Sequence, residues 1–149
     1  MRASDICTSK VVCIDASASV VDAAKRMREG HVGALVVTEQ PNGERIPVGI
    51  VTDRDIVMSV IAEEVAPTAL KVGDVMTSPV LTCTEEQHLY EIVALLRSKA
   101  VRRLPVVNVH GGLAGLVAAD DVYSALGLLL REMNAALTQE QVHERVARL

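Results

Sequence analysis

The run Gly49-Ile50-Val51-Thr52-Asp53-Arg54-Asp55 holds the residues of this chain best suited to binding chemistry. An apolar, strand-like stretch ends at Thr52, and a helix is predicted to begin there. A helix entrance carries unpaired N–H groups and the positive end of the helix dipole, so it attracts anions. Thr52 adds a hydroxyl donor. Asp55, one turn further on, is placed to accept hydrogen bonds from both hydroxyls of a ribose. Gly49 leaves room for a close backbone approach. Thr52-x-x-Asp55 is also the spacing of an ordinary capping box, which needs no ligand, and both readings stand on the motif alone.

A second run, Gly115-Leu116-Val117-Ala118-Ala119-Asp120-Asp121, keeps the carboxylate at Asp121 but has Ala118 where the hydroxyl was. It therefore retains a ribose anchor and loses one contact, which predicts two unequal sites with the first the better. Arg102-Arg103 stand directly before the strand-like Leu104-Pro105-Val106-Val107. Adjacent strand residues point to opposite faces, so one guanidinium reaches inward and there needs an anion such as a phosphate. The alternative is a solvated edge on which both pair with Glu85 or Glu86. Gly33 and Ala34 hold the matching positions earlier in the chain, giving room without charge.

These runs match because the chain is an internal duplication. A shift of 69 residues places Asp5-Ile6-Cys7-Thr8-Ser9 on Asp74-Val75-Met76-Thr77-Ser78. It also places the β-prone Val11–Ile14 on Val80–Cys83. The same shift aligns Val20, Ala23, Ala24 and Met27 with Leu89, Ile92, Val93 and Leu96, each set being the apolar stripe of a one-sided helix. Ser19 and Asp22 form a capping pair at the start of the first of these helices. Val32–Val37 then aligns with Val101–Val106. Beyond that point the shift falls to 66, Gly49 matching Gly115, because the hairpin connection Glu39-Gln40-Pro41-Asn42-Gly43-Glu44 is longer. Each copy reads β–α–β–β–α. A unit this short cannot bury its sheet face alone, so the two should pack together. The predicted divisions are 1–65, a linker at 66–72, 73–131, and a helical tail at 132–149.

Half the residues are hydrophobic, yet there is no Trp, no Phe and only two Tyr, so the core must be aliphatic. A formal net charge of −4 with scattered basic residues argues against nucleic-acid binding. No apolar run is long enough for a membrane span, and the polar start does not resemble a secretory signal. The three cysteines lack metal-site spacing, and reduced thiols in a cytoplasmic protein are the expectation.

Taken together, the Asp-Val-Met-Thr-like openings, Arg-Arg-Leu-Pro-Val-Val, Gly-Ile-Val-Thr-x-x-Asp and the order of elements closely resemble the CBS domain family, as a tandem pair (Bateman module) over residues 4–63 and 73–130. The resemblance implies an α+β fold of two βαββα units around a pseudo-twofold axis, with two clefts for adenine compounds. It implies a regulatory sensor of AMP, ADP, ATP, NAD or an S-adenosyl compound that dimerises. By position, the first cleft would use Ile50, Val51, Thr52, Arg54 and Asp55. It would borrow Leu81 for the adenine, Val101 and Arg102 for closure, and Arg102 and Arg103 for phosphate. The second would use Ala118 and Asp121, Val12 for the adenine, and Val32, Gly33 and Ala34 beside it. Such pairs often regulate an attached enzyme, channel or transporter. With no room here for one, output would pass through an unidentified regulated protein, a dimer rearrangement or the tail.

Three functions compete. A nucleotide sensor is favoured by Thr52, Asp55 and the arginines; a ligand-free oligomerisation scaffold by Ala118 and Gly33. An enzyme finds no support, because His31, His88, His110 and His143 are scattered and no partnered nucleophile is visible.

Overall fold

The computed structural model describes residues 1–147. The first repeat contains α1 (Ala3–Ile6), β1 (Cys13–Ile14), α2 (Val20–Gly30), β2 (Ala34–Glu39), β3 (Ile46–Thr52) and α3 (Asp53–Ile56), which runs on into a π-helical turn, Val57–Ile61. After a 3₁₀ turn at Pro67–Ala69 come α4 (Val72–Val75), β4 (Cys83–Thr84), α5 (Leu89–Lys99), β5 (Arg103–Val107), β6 (Leu113–Ala118) and α6 (Ala119–Ala147). The two sheets have the same topology, β1-β2-β3 and β4-β5-β6, with the first pair parallel and the second antiparallel.

Local signals explain most of these elements. Ser19 caps α2 through its hydroxyl, which accepts from the Asp22 N–H at 3.0 Å. Val20, Ala23 and Met27 of α2 are buried, as is Ile92 of α5. Ala24 and Val93, however, are exposed. The stripe that meets the sheet is thus narrower than the sequence spacing implied. The two helices are stopped by left-handed residues, His31 and Ala100, at equivalent places. α6 crosses residue 131 without a break, since Leu130-Arg131-Glu132-Met133 are all good helix formers. The C-terminal residues 148–149 of the predicted tail lie outside the described residues. No helix among the described residues is long and apolar enough to cross a membrane.

The repeats exchange their opening segments. Val72 is fully buried in the first repeat's core, with Val75 and Met76 packed against it, beside Ile14, Leu35, Val37 and Val51. Ala3, with Ile6 and Cys7, packs into the second core beside Cys83, Ile92, Leu104 and Val117. Backbone pairs fasten both exchanges, Thr8 with Leu116 and Ile50 with Thr77. Neither sheet therefore completes its core from its own repeat.

This exchange reassigns the two repeated glycines. A Cβ on Gly49 would lie 2.5 Å from the Met76 sulfur, and one on Gly115 would lie 2.6 Å from the Cys7 sulfur. The close approach read at Gly49 is thus made by the exchanged segment. Gly115→Ala is expected to destabilise the fold by about 1–3 kcal/mol through overpacking. The short Cys7 side chain and the Thr8 carbonyl, 3.2 Å from the same Cβ, have little freedom to retreat. Urea unfolding checks this, and an unchanged midpoint would contradict it.

Candidate functional site

β3 and α3 of the first repeat face the segment before β4 and the start of β5 across a cleft of about 490 Å³. Ile50, Thr52, Arg54 and Asp55 line it from one side, and Leu81, Val101, Arg102 and Arg103 from the other. Val51 departs from the expected set. It is fully buried and pairs with Leu35. Side chains alternate along a strand, so with Ile50 and Thr52 turned to the cleft, Val51 must enter the core. Asp53, Thr77, Val80 and Ala100 also line the cleft and were not singled out from sequence. Thr77 had a usable signal, because it repeats Thr8; its backbone bonds Ile50 in both directions, at 2.9 and 3.1 Å.

At the head of α3, Asp55 Oδ2 accepts from the Thr52 N–H and from the Thr52 hydroxyl, each at 2.8 Å. The Asp55 N–H donates back to Thr52 Oγ1 at 3.1 Å. The capping box is therefore formed. Each carboxylate contact here falls on Oδ2, so capping does not consume both oxygens. α3 itself is only one turn of α-helix before the π turn. The positive character of the cleft rests mainly on Arg54, Arg102 and Arg103, against Asp53 and Asp55.

The arginines do not take the edge partners considered from sequence. Glu86 pairs with Arg2, and Arg102 Nη2 stands 4.0 Å from Asp120 Oδ1 in an exposed contact that holds it weakly. Arg103 is partly buried.

The second set of residues is not gathered in the same way. Asp121 Oδ2 accepts from the Ala118 N–H at 2.7 Å, so half of the capping box survives the loss of the hydroxyl. The space beside Gly33 is already taken: a Cβ there would meet Asp53 Oδ2 at 3.0 Å. The expected room at Gly33 is therefore filled by a carboxylate. Ala34 is buried opposite Thr52, and Val32 packs on the first core. Val12 lines another cavity, of about 720 Å³, and the rest of this set lines none of the described cavities.

Burial raises the Cys7 and Cys13 thiols above their ordinary value and pushes Cys83 up to about 11, with Cys7 adding to the last. All three stay protonated at neutral pH, the unreactive form. Among the described residues no group of three or more His, Cys, Asp or Glu side chains converges as a metal site.

Residues 3–62 and 72–128 each match the CBS domain family. A protein of Methanopyrus kandleri is 35% identical over 104 residues, covering 70% of this chain and 52% of its own length, so the chain spans about half of that relative. The hexameric CBS-CP12 protein from bloom-forming cyanobacteria superposes with a TM-score of 0.74 at 32% identity, over 83% of this chain and 66% of that one. A CBS domain protein of Pyrobaculum aerophilum complexed with AMP gives a TM-score of 0.74 at 23% identity, over 81% and 89%, a likeness of fold. With both repeats matched and their sheets joined by exchanged segments, the chain belongs to the CBS domain family, as a tandem pair.

Proposed function

We propose that this protein is a regulatory sensor of an adenine nucleotide, bound in the cleft between Thr52–Asp55 and Leu81–Arg103. The observation that carries the reading is the meeting, in one cavity, of a carboxylate on a strand-to-helix junction with three guanidiniums from both repeats. The volume of about 490 Å³ suits a nucleotide-sized ligand. Asp55 would hold the ribose hydroxyls, Arg54, Arg102 and Arg103 the phosphates, and the chain around Leu81 the adenine. The AMP complex of the Pyrobaculum protein supports an adenine compound as the class. Because the cleft has walls from both repeats, occupancy would bias their relative placement and so the contacts offered to a second copy or a regulated protein.

Thermal-shift measurement with AMP, ADP, ATP, NAD and S-adenosylmethionine tests this. A cognate ligand at a hundredfold excess over Kd adds about 2.7 kcal/mol, a rise of roughly 5–10 °C for a chain of this size. No rise with any of the five would remove the sensor reading.

A second reading, an oligomerisation scaffold, is favoured by the exposed apolar residues at the same helix of each repeat. These are Val57, Met58 and Ile61 on the π turn and Tyr123, Leu126 and Leu130 on α6. A homodimer through these faces is compatible with sensing. Sedimentation with and without the cognate nucleotide separates the two: an assembly indifferent to every nucleotide favours the scaffold.

A further inference from the structure

We infer that the cavity beside β1 and the C-terminal end of β2 is an anion site separate from the cleft, taking a small polyphosphate or phosphorylated compound. Lys10, Arg26 and Arg45 line this cavity of about 720 Å³, together with Cys13, Asp15 and Gln40. The three cations come from the segment before β1, from α2 and from the connection before β3, so only the fold brings them together. The described ion pairs, Arg2–Glu86 and Arg102–Asp120, involve none of them. Arg26 is positioned by its Nη1, which donates to the Cys13 carbonyl at 2.7 Å. The Arg45 guanidinium stands beside the Cys13 thiol. The one carboxylate in the lining, Asp15, accepts from the Ser17 N–H and hydroxyl at 2.7 and 2.6 Å. Three cations thus face one already bonded anion, in a chain whose net charge is −4. Guanidinium and phosphate match in charge and in hydrogen-bond geometry.

Comparison of the repeats shows that the fold does not require this charge. At the matching positions of the second copy, Lys10 and Arg26 are replaced by Pro79 and Leu95, and Asp15 by Thr84. Of the lining, Val11 and Val12 match by position residues that line the cleft, Val80 and Leu81. The site is also placed to act on the junction between repeats. The Arg45 carbonyl accepts from the Leu113 N–H at 2.7 Å, and the neighbouring Glu44 accepts from Asn108 Nδ2 at 2.7 Å.

Titration calorimetry with inorganic tripolyphosphate, paired with amide NMR, tests the assignment without relying on adenine binding. R54Q/R102Q/R103Q, which strips the cleft of its guanidiniums, should still bind tripolyphosphate within about twofold of the original affinity. R45Q should lose about tenfold or more, and K10Q a smaller factor; neither changes the backbone bond at Leu113. In the triple variant, where the cleft has lost its guanidiniums, amide shifts should centre on residues 10–15, 38–40 and 45. The inference is overturned if tripolyphosphate does not bind, if binding disappears with the cleft guanidiniums while R45Q keeps it, or if the shifts centre on 50–55 and 101–103. Adenine-nucleotide stabilisation should persist in R45Q, so failure here is distinguishable from failure of the sensor reading.

Discussion

Asp55→Ala is expected to lower the affinity for the cognate adenine nucleotide by about 10- to 100-fold, and with it the ligand-driven rise in melting temperature. A hydrogen bond to a charged acceptor contributes about 1.5–3 kcal/mol, and each 1.4 kcal/mol is a factor of ten in Kd. The same substitution also removes the carboxylate half of the capping box on α3, since Asp55 Oδ2 accepts from the Thr52 N–H and hydroxyl, while Thr52 Oγ1 still accepts from the backbone N–H of residue 55. Loss of that half costs about 0.5–2 kcal/mol of stability, which the ligand-free melting temperature reports separately. Thr52→Ala is the matching control. It breaks the bond from the Asp55 N–H to Thr52 Oγ1 but leaves the carboxylate. It should therefore cost stability with a much smaller loss of affinity. Asp121→Ala should leave the stronger response in place, because its residue set shares no described cavity. Calorimetric titration of the three variants with the nucleotide that stabilises the parent decides the matter. Wild-type affinity in Asp55→Ala would refute the assignment of the ribose.

Deleting residues 1–9 is expected to destabilise the second repeat more than the first, by a net 2–4 kcal/mol (about that order, from the bonds and burial lost). The segment gives Ala3, Ile6 and Cys7 to the core around Ile92 and Leu104. Its backbone bonds Gln87, Glu85, Leu89 and Leu116 of the second repeat. Release from ordering offsets part of that loss, since each fixed residue costs roughly 1–2 kcal/mol of backbone entropy. What remains is a large share of a typical stability of about 5–15 kcal/mol. Amide exchange is the discriminating measurement. Protection should fall first at Leu104, Val106 and Val117, which are fully buried in the intact protein. Loss centred on Leu35, Val37 and Val51 would mean that the segment serves its own repeat. Ala3→Leu, at a fully buried position, should reproduce part of the effect without removing any backbone.

The cleft was legible from particular residues for particular reasons. Thr52, Arg54 and Asp55 lie within one short run, so local geometry alone places them at a strand-to-helix junction. Arg102 and Arg103 could be linked to that run because the duplication implied that the copies pack together. Val51 belongs to the same run, but the alternation of β3 sends its side chain to the core between Ile50 and Thr52, which face the cleft. Gly33 looked spacious because a glycine's neighbours across space are invisible in sequence; Asp53 fills the position.

The sequence by itself determined the two repeats, the β–α–β–β–α order, the Ser19 cap on α2 and the unequal junctions at Thr52 and Ala118. All of these depend on residues close in the chain, or on comparing one copy with the other. Only the tertiary structure decided which sheet each opening segment completes. Asp5–Ser9 and Asp74–Ser78 carry the same pattern, and either sheet would accept either segment on local grounds. The choice is made by long-range packing of Ala3 and Val72 and by the glycines that let Cys7 and Met76 approach. The same long-range convergence brought Lys10, Arg26 and Arg45 to one cavity. Their separation along the chain hid a cluster that exists only in space.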